Sequence, residues 1–159
     1  TELIISNKEN AGVLDRAKKL GIKSVTFKKH EFEINEKVDK ILTEINPDLV
    51  ILAGFLLKFP GFLVRKFNNK VLNIHPALLP KFGGKGMYGM NVHKAVHENK
   101  EQKTGITIHY VNENYDEGAI IKQFECSLNN SDTPDSIAKK ISKLEMENFP
   151  RVIEETLLK

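Results

Sequence analysis

The sequence has little of several features that would point to a specialised class of protein. Its 159 residues include one cysteine, Cys126, which excludes a disulfide framework and a zinc site built from cysteines. No apolar run approaches the roughly 18 residues that a membrane-spanning helix needs, and no signal peptide opens the chain. These absences predict a reducing, cytoplasmic setting.

The sequence also lacks a large excess of charge of either sign. The 24 Lys and Arg residues nearly balance the 21 Asp and Glu residues, which leaves a net charge of +3, and the basic residues are dispersed along the chain. Proteins that bind nucleic acids concentrate such residues in a patch or stripe. We therefore expect neither a nucleic acid nor a membrane as a partner.

What the sequence does contain is an alternation of strand-like and helix-like segments. Short apolar or β-branched runs predict six strands at Glu2–Ser6, Lys23–Phe27, Leu49–Ala53, Val71–Ile74, Gly105–Val111 and Ala119–Phe124. Apolar residues at helical spacing predict helices at Ala11–Leu20, after a cap at Asn35, at Pro60–Phe67, at Asn91–Asn99 and from Thr133 onward, with a kink or restart at Pro150. This order predicts one α/β domain over residues 1–159, with a mostly parallel Rossmann-like sheet and a hairpin-like pair formed by the last two strands.

Polar side chains follow two of the predicted strands. In a parallel α/β sheet, ligands bind beyond the carboxyl ends of the strands, which singles out Gly54 and the segment from Asn73 to His75. Asn73 and His75 alternate along extended backbone, so both side chains lie on one face. An amide beside an imidazole suits oxyanion stabilisation or proton transfer, but the same two residues also fit a turn cap and an ordinary loop histidine.

A third polar candidate is Asp116, in the turn that ends at Gly118. A carboxylate facing His75 would raise the pKa of the imidazole and fix its orientation. Aspartate before glycine is also common in turns for local backbone reasons, so position alone leaves both interpretations open.

Two further motifs favour ordinary structural roles. His93 and His97 have the spacing of a zinc-binding pair, but the sequence HKAVH lacks the glutamate of such a motif and an obvious third ligand. The glycines of Gly83–Gly86 lack the spacing and ending of a nucleotide-binding loop, so we interpret them as a flank of the site. We expect no metal.

Three segments in order resemble the folate-dependent formyltransferases: LAGF at Leu52–Phe55, NIHPALLPKF at Asn73–Phe82, and GITIHYV followed by DEGAII within Gly105–Ile121. Within that family the chain is most similar to the branch that formylates glycinamide ribonucleotide in purine biosynthesis. The resemblance covers nearly the whole chain and implies the formyltransferase fold.

The resemblance also implies the chemistry. Asn73, His75 and Asp116 match the catalytic trio of the family, which transfers the formyl group of 10-formyltetrahydrofolate to the amine of glycinamide ribonucleotide without a metal. In those roles Asn73 and a protonated His75 donate to the formyl oxygen, and Asp116 keeps His75 charged and organises a relay water. The partners implied are the two small molecules, bound by a monomer or a homodimer.

Other positions match the family's binding segments. The donor pocket corresponds to Leu56, Leu57, Lys58 and Phe59, together with the loop of Asn112, Glu113, Asn114, Tyr115 and Asp116. Gly54 and Glu145 match residues that contact the amine substrate. Many relatives have arginine where this chain has Leu57, which implies a more apolar pterin wall.

Two departures from the family keep alternatives open. The chain does not match the family's first strand and its phosphate-binding loop, so an N-terminally incomplete formyltransferase is expected. The segment Gly83–Met90 is longer than the usual link. A formyltetrahydrofolate deformylase and a non-catalytic folate-binding module are the alternative functions.

Overall fold

The computed structural model describes residues 1–29, 31 and 36–158, which fall into two compact units, Thr1–Pro47 and Asp48–Lys159. Each unit combines strands and helices, so the predicted α/β class is confirmed. That residues 1–159 form a single domain stays a prediction.

The first unit pairs two short parallel strands. Strands β1 (Leu3–Ser6) and β2 (Lys23–Thr26) run in register with Leu3 opposite Lys23, and helix α1 (Gly12–Lys19) connects them. Helix α2 (Glu36–Ile45) buries Val38 and Leu42, which lie one turn apart. The predicted cap at Asn35 lies outside the described residues.

The second unit contains a four-stranded sheet in the order β3-β4-β5-β6. Its strands are β3 (Val50–Leu52), β4 (Val71–His75), β5 (Lys103–Tyr110) and β6 (Ile120–Ser127). Strand β3 pairs with β4 in parallel, whereas β4 with β5 and β5 with β6 are antiparallel. The predicted hairpin-like pair is therefore confirmed, and the β4–β5 pairing is antiparallel as well.

Helices cover the two central strands of this sheet. The helices of the unit are α3 (Gly61–Lys66), α4 (Met90–Glu98) and α5 (Pro134–Leu157). The core joins apolar residues of β4 and β5 to one face of α4 and one face of α5: Leu72, Ile74, Ile106, Ile108, Val92, Val96, Ile137 and Ile141. Because β4 and β5 are buried, their polar side chains need partners inside the protein.

The last helix begins at the predicted signal. The Thr133 side chain accepts from the backbone of Ser136, and the Ser136 side chain accepts from the backbone of Thr133, which forms a capping box. The helix continues through Pro150 to Leu157 instead of restarting there. Among the described residues, no helix is both long and apolar enough to cross a membrane.

Candidate active site

A cavity of about 800 Å³ lies within the second unit, at the ends of β3 and β4. Its walls are the segment after β3, the tip of β4, the loop before α4, the segment after β5 and one face of α5. This volume falls within the range of about 300–1,000 Å³ that is typical of small-molecule pockets. The predicted catalytic residues Asn73, His75 and Asp116 all line it.

His75 is the last residue of β4 and is almost completely buried. Its Nε2 lies 2.8 Å from the carbonyl oxygen of Phe82, and since a carbonyl only accepts, this nitrogen carries a proton. Its Nδ1 lies 3.5 Å from Oδ2 of Asp116. That contact is longer than a good hydrogen bond, so Nδ1 is the ring nitrogen left to meet a ligand.

Asp116 connects three parts of the site. Besides facing His75, its Oδ2 accepts from the backbone N–H of Gly84 at 2.9 Å, and its Oδ1 lies 3.7 Å from Nε2 of His109. Asp116 itself has a φ of 57°, and Phe82 has a φ of 56°. Both are left-handed conformations that cost a residue with a side chain about 1–2 kcal/mol, and such strain is concentrated at functional sites.

Two glycines permit this close approach. A Cβ at Gly83 would lie 2.5 Å from the Leu79 side chain and 3.3 Å from Cβ of Asp116. A Cβ at Gly118 would lie 1.7 Å from the carbonyl oxygen of Tyr110. Position 118 therefore requires glycine because backbone atoms already fill the space of a side chain, whereas a side chain at position 83 would have to displace a methyl group of Leu79.

Sequence reasoning missed His109, which is buried in β5 directly opposite Asn73. Its Nδ1 lies 2.8 Å from the carbonyl oxygen of Tyr110 and therefore donates, which leaves Nε2 to accept from the Asn73 amide at 3.2 Å. The signal was a histidine within a predicted strand, but its partner depends on the strand register. His109 holds the Asn73 amide in place and leaves that amide a second N–H.

Burial lowers the pKa of His75 below its usual value of 6.5. Asp116 and the Phe82 carbonyl act in the opposite direction and raise it, while His109 lowers it further. That Asp116 keeps His75 charged in the reaction stays a prediction: Asp116 acts in the expected direction, but the net shift of the His75 pKa in the ligand-free site is downward. The physical reason is that loss of hydration outweighs one nearby carboxylate.

Two more ionisable residues of the cavity wall have shifted pKa values. Burial, together with the nearby His75, lowers the pKa of His93. Burial raises the pKa of Glu145. His93 is buried and His97 is exposed, so the two histidines of α4 do not form a pair. Among the described residues, no cluster of three His, Cys, Asp or Glu side chains is arranged to hold a metal ion.

The positions matched to the donor pocket and to the amine substrate gather in the same cavity, with one exception. Lining residues include Leu56, Leu57, Lys58, Phe59, Asn112, Asn114, Tyr115, Gly54 and Glu145. Glu113 does not line it, because its carboxylate bonds to Arg65 of α3 instead. The glycine-rich loop before α4 contributes Gly84–Gly89 to the wall, consistent with a flank of the site.

A family model described as formyl transferase matches residues 1–153. The chain belongs to the formyl transferase family. Among curated formyl transferases, the chain is 41% identical over 157 residues to a phosphoribosylglycinamide formyltransferase, chloroplastic, of Arabidopsis thaliana, covering 95% of this chain and 53% of that protein. It is 38% identical over 157 residues to the protein of the same name from Vigna unguiculata, covering 96% of this chain and 50% of that one.

Solved formyl transferase structures agree with this assignment. The crystal structure of phosphoribosylglycinamide formyltransferase from Anaplasma phagocytophilum matches with a TM-score of 0.90 at 32% identity, over 99% of this chain and 74% of that chain. The predicted formyltransferase fold is thereby confirmed. The chain spans about half the length of the two plant relatives.

Proposed function

We propose that the protein transfers the formyl group of 10-formyltetrahydrofolate to the amine of glycinamide ribonucleotide. The observation that carries this proposal is the convergence of Asn73, His75 and Asp116 on one cavity large enough for a small-molecule substrate. The names of the two plant relatives, and of the bacterial structure, support the choice of acceptor.

In the proposed reaction, the amine nitrogen attacks the formyl carbon and the formyl oxygen becomes negatively charged. The second N–H of the Asn73 amide and a proton on Nδ1 of His75 donate to this oxygen. Both interactions strengthen as the charge develops, so they stabilise the transition state more than the bound substrates. The developing charge also favours the protonated imidazole, which offsets the effect of burial on the pKa of His75.

The remaining bond changes balance without a metal or a redox partner. Once the new carbon–nitrogen bond has formed, the oxyanion collapses and the bond from the formyl carbon to the folate nitrogen breaks. The amine loses one proton, and the departing folate nitrogen gains one. We assign Asp116 to a water that carries this proton, because its carboxylate lies at the cavity wall beside His75.

The donor binds, in this proposal, between the segment Leu56–Phe59 and the loop 112–116. The amine substrate lies near Gly54 and Glu145, on the side of the cavity formed by β3 and α5. The half-exposed Leu57 makes the donor wall apolar at that position, where the pterin ring benefits from contact with hydrocarbon.

The test is an assay of the purified protein with both substrates, monitoring tetrahydrofolate and the formylated amide. Replacing Asn73 with alanine removes one oxyanion donor and should lower kcat about 100- to 1,000-fold. Asn99→Ala is the matched control, since Asn99 lies at the end of α4 and its side chain donates to the carbonyl of Ala95. It should leave kcat unchanged.

Other outcomes would replace the proposal. Release of formate without an amine acceptor would identify a deformylase. Folate binding without turnover at high substrate would identify a binding module. An unchanged kcat in Asn73→Ala would remove Asn73 from the oxyanion site.

Location and assembly belong to the same proposal. We place the protein in the cytoplasm, as a monomer or homodimer; a single half-buried thiol, Cys126, fits a reducing compartment. Two plant relatives are named chloroplastic, so a plastid is the competing location. Microscopy of a tagged protein and light scattering would test these two points.

A further inference from the structure

An ion pair outside the cavity ties one of its walls to α3. Nη1 of Arg65 lies 2.7 Å from Oε1 of Glu113, and the two residues are 48 positions apart in the chain. Glu113 belongs to the segment 112–117, which we call the donor loop. Since its side chain does not line the cavity, the matched position contributes something other than direct contact with a ligand.

Contacts of Asp116 and Tyr115 hold the donor loop at two further points. Asp116 accepts from Gly84 and faces His75, and the Tyr115 ring lies 5.7 Å from Nζ of Lys58. Within the loop, Asn112 accepts from the backbone of Asn114, and the Asn114 amide donates to Glu117. The left-handed φ of Asp116 is therefore maintained by contacts around the loop, as strained residues require.

The local packing leaves room for the Glu113 carboxylate. A Cβ at Gly61, the first residue of α3, would lie 3.1 Å from Oε2 of Glu113. Arg65 is one helical turn further along, so Gly61 and Arg65 lie on the same face of α3. The carboxylate thus lies over this face, with its second oxygen above the glycine.

We propose that the Arg65–Glu113 pair is a positioning latch that sets the affinity of the cavity for the folate donor. It holds the donor loop against α3 in the conformation that lines the donor pocket, whereas Gly84 and His75 hold Asp116 separately. This inference rests on the proposed function, because it names the formyl donor as the ligand. Neither side chain of the latch touches the reacting atoms.

The solvent exposure of the two side chains sets the expected size of the effect on donor affinity. The two side chains are 64% and 55% exposed, and ion pairs of this kind contribute modestly. Breaking the latch should raise the KM for the donor about two- to five-fold. The values of kcat and of the KM for the amine should stay at the wild-type level, and high salt should reduce the difference because it screens exposed charges.

A matched control exists in the same unit. Lys103 and Glu125 form a pair with an Nζ–Oε1 distance of 2.9 Å and exposures of 59% and 55%, joining β5 to β6. Neither residue lines the cavity. Lys103→Ala therefore breaks an ion pair of similar length and exposure without affecting the donor loop.

Calorimetric titration of the purified protein with tetrahydrofolate tests the latch directly, with donor and amine kinetics measured alongside. Arg65→Ala and Glu113→Ala should each bind tetrahydrofolate about two- to five-fold more weakly, and Lys103→Ala should bind it like the wild type. The double exchange Arg65→Glu with Glu113→Arg should recover most of the loss. Arg65→Lys should recover part of it, because lysine keeps the charge but not the planar geometry.

The outcomes separate the latch from the proposed function. A wild-type protein that bound no tetrahydrofolate would refute the proposed function and the latch together. If the wild type bound tetrahydrofolate and Arg65→Ala bound it equally tightly, the latch alone would be overturned. The same would follow if Lys103→Ala weakened binding as much as Arg65→Ala. Failure of the charge exchange to restore binding would also overturn it, because the attraction of opposite charges is what the latch requires.

Discussion

At the scale of single residues, two opposing electrostatic effects act on the imidazole of His75. His75 is only 3% exposed, and the resulting loss of hydration disfavours its charged form. Asp116 and the Phe82 carbonyl lie on opposite sides of the ring and favour that form. The balance in the ligand-free site is a lowered pKa, so a ligand that brings negative charge near Nδ1 shifts His75 towards protonation.

This balance predicts the titration of His75 in the ligand-free protein. Its pKa should lie below 6.5, and Asp116→Asn should lower that pKa further because it removes the carboxylate that opposes burial. Because the folded pKa is depressed, the neutral imidazole stabilises the fold above the ordinary pKa. This contribution is lost as the pH falls through the folded value.

Nuclear magnetic resonance of the His75 ring protons would measure both pKa values. A His75 pKa above 6.5, or one that Asp116→Asn leaves unchanged, would contradict the expected balance.

Sequence could place at the cavity those residues that follow predicted strands and turns, whereas their roles come from the resemblance to the formyltransferases. Asn73 and His75 follow from the end of a strand, and Asp116 from a polar turn before glycine. His109 could not be predicted, because its contact with Asn73 depends on the register of two antiparallel strands. Nor could the sequence show that Glu113 turns to Arg65, or that burial outweighs Asp116 in setting the pKa of His75.

At the scale of elements, the start of α5 depends on one carboxylate. Asp132 accepts from the backbone of Asn129, from the hydroxyl of Ser136 and from the ammonium of Lys140. These contacts lower the pKa of Asp132 to about 2. Since α5 forms one wall of the cavity, this network connects helix stability to the site.

We expect this carboxylate to give the protein a defined acid sensitivity. The folded pKa of about 2 lies below the ordinary 3.8, so the stabilisation is fully present above 3.8 and is lost as the pH falls through 2. Asp132→Asn should lower the free energy of unfolding at pH 6, and the difference from wild type should close between about pH 4 and pH 2.

Denaturant unfolding followed by circular dichroism at several pH values would measure this difference. Asp135→Asn is the matched control, because Asp135 lies in the first turn of α5 outside the network. If the difference in free energy of unfolding between the wild type and Asp132→Asn were independent of pH over this range, it would contradict the assigned pKa.

The elements themselves were largely predictable. Thr133-Pro134 marks the start of α5 through local chemistry, and the unbroken apolar run of β3 marks a buried strand. Pro150 misled the prediction of a restart, because packing of Phe149 and Val152 keeps the helix continuous on both sides of the proline. Tertiary packing of this kind cannot be read from neighbouring residues alone.

At the scale of the whole molecule, the cavity gathers walls from distant parts of the chain. Segments near positions 55, 75, 86, 115 and 145 all contribute to it. A ligand that binds these walls together favours the folded state over the unfolded chain, which cannot present them at once. Folate binding should therefore be visible as added stability.

Tetrahydrofolate at about 100 times its Kd should raise the free energy of unfolding by about 2.7 kcal/mol. The increase should fall for Glu113→Ala at the same folate concentration, because the latch variant binds more weakly. Thermal unfolding across a folate series would measure it. A midpoint that did not change with folate would contradict binding to the folded protein.

The geometry at Gly118 has a consequence for how the sequence can diverge. The carbonyl oxygen of Tyr110 lies where any Cβ at position 118 would have to be. Alleles that place another amino acid there cannot keep the path of this loop, and they displace Asp116 two residues earlier. Substitutions at the exposed positions of the loop can leave its backbone in place, whereas position 118 can vary only in lineages that have rerouted the backbone and found another way to hold the carboxylate.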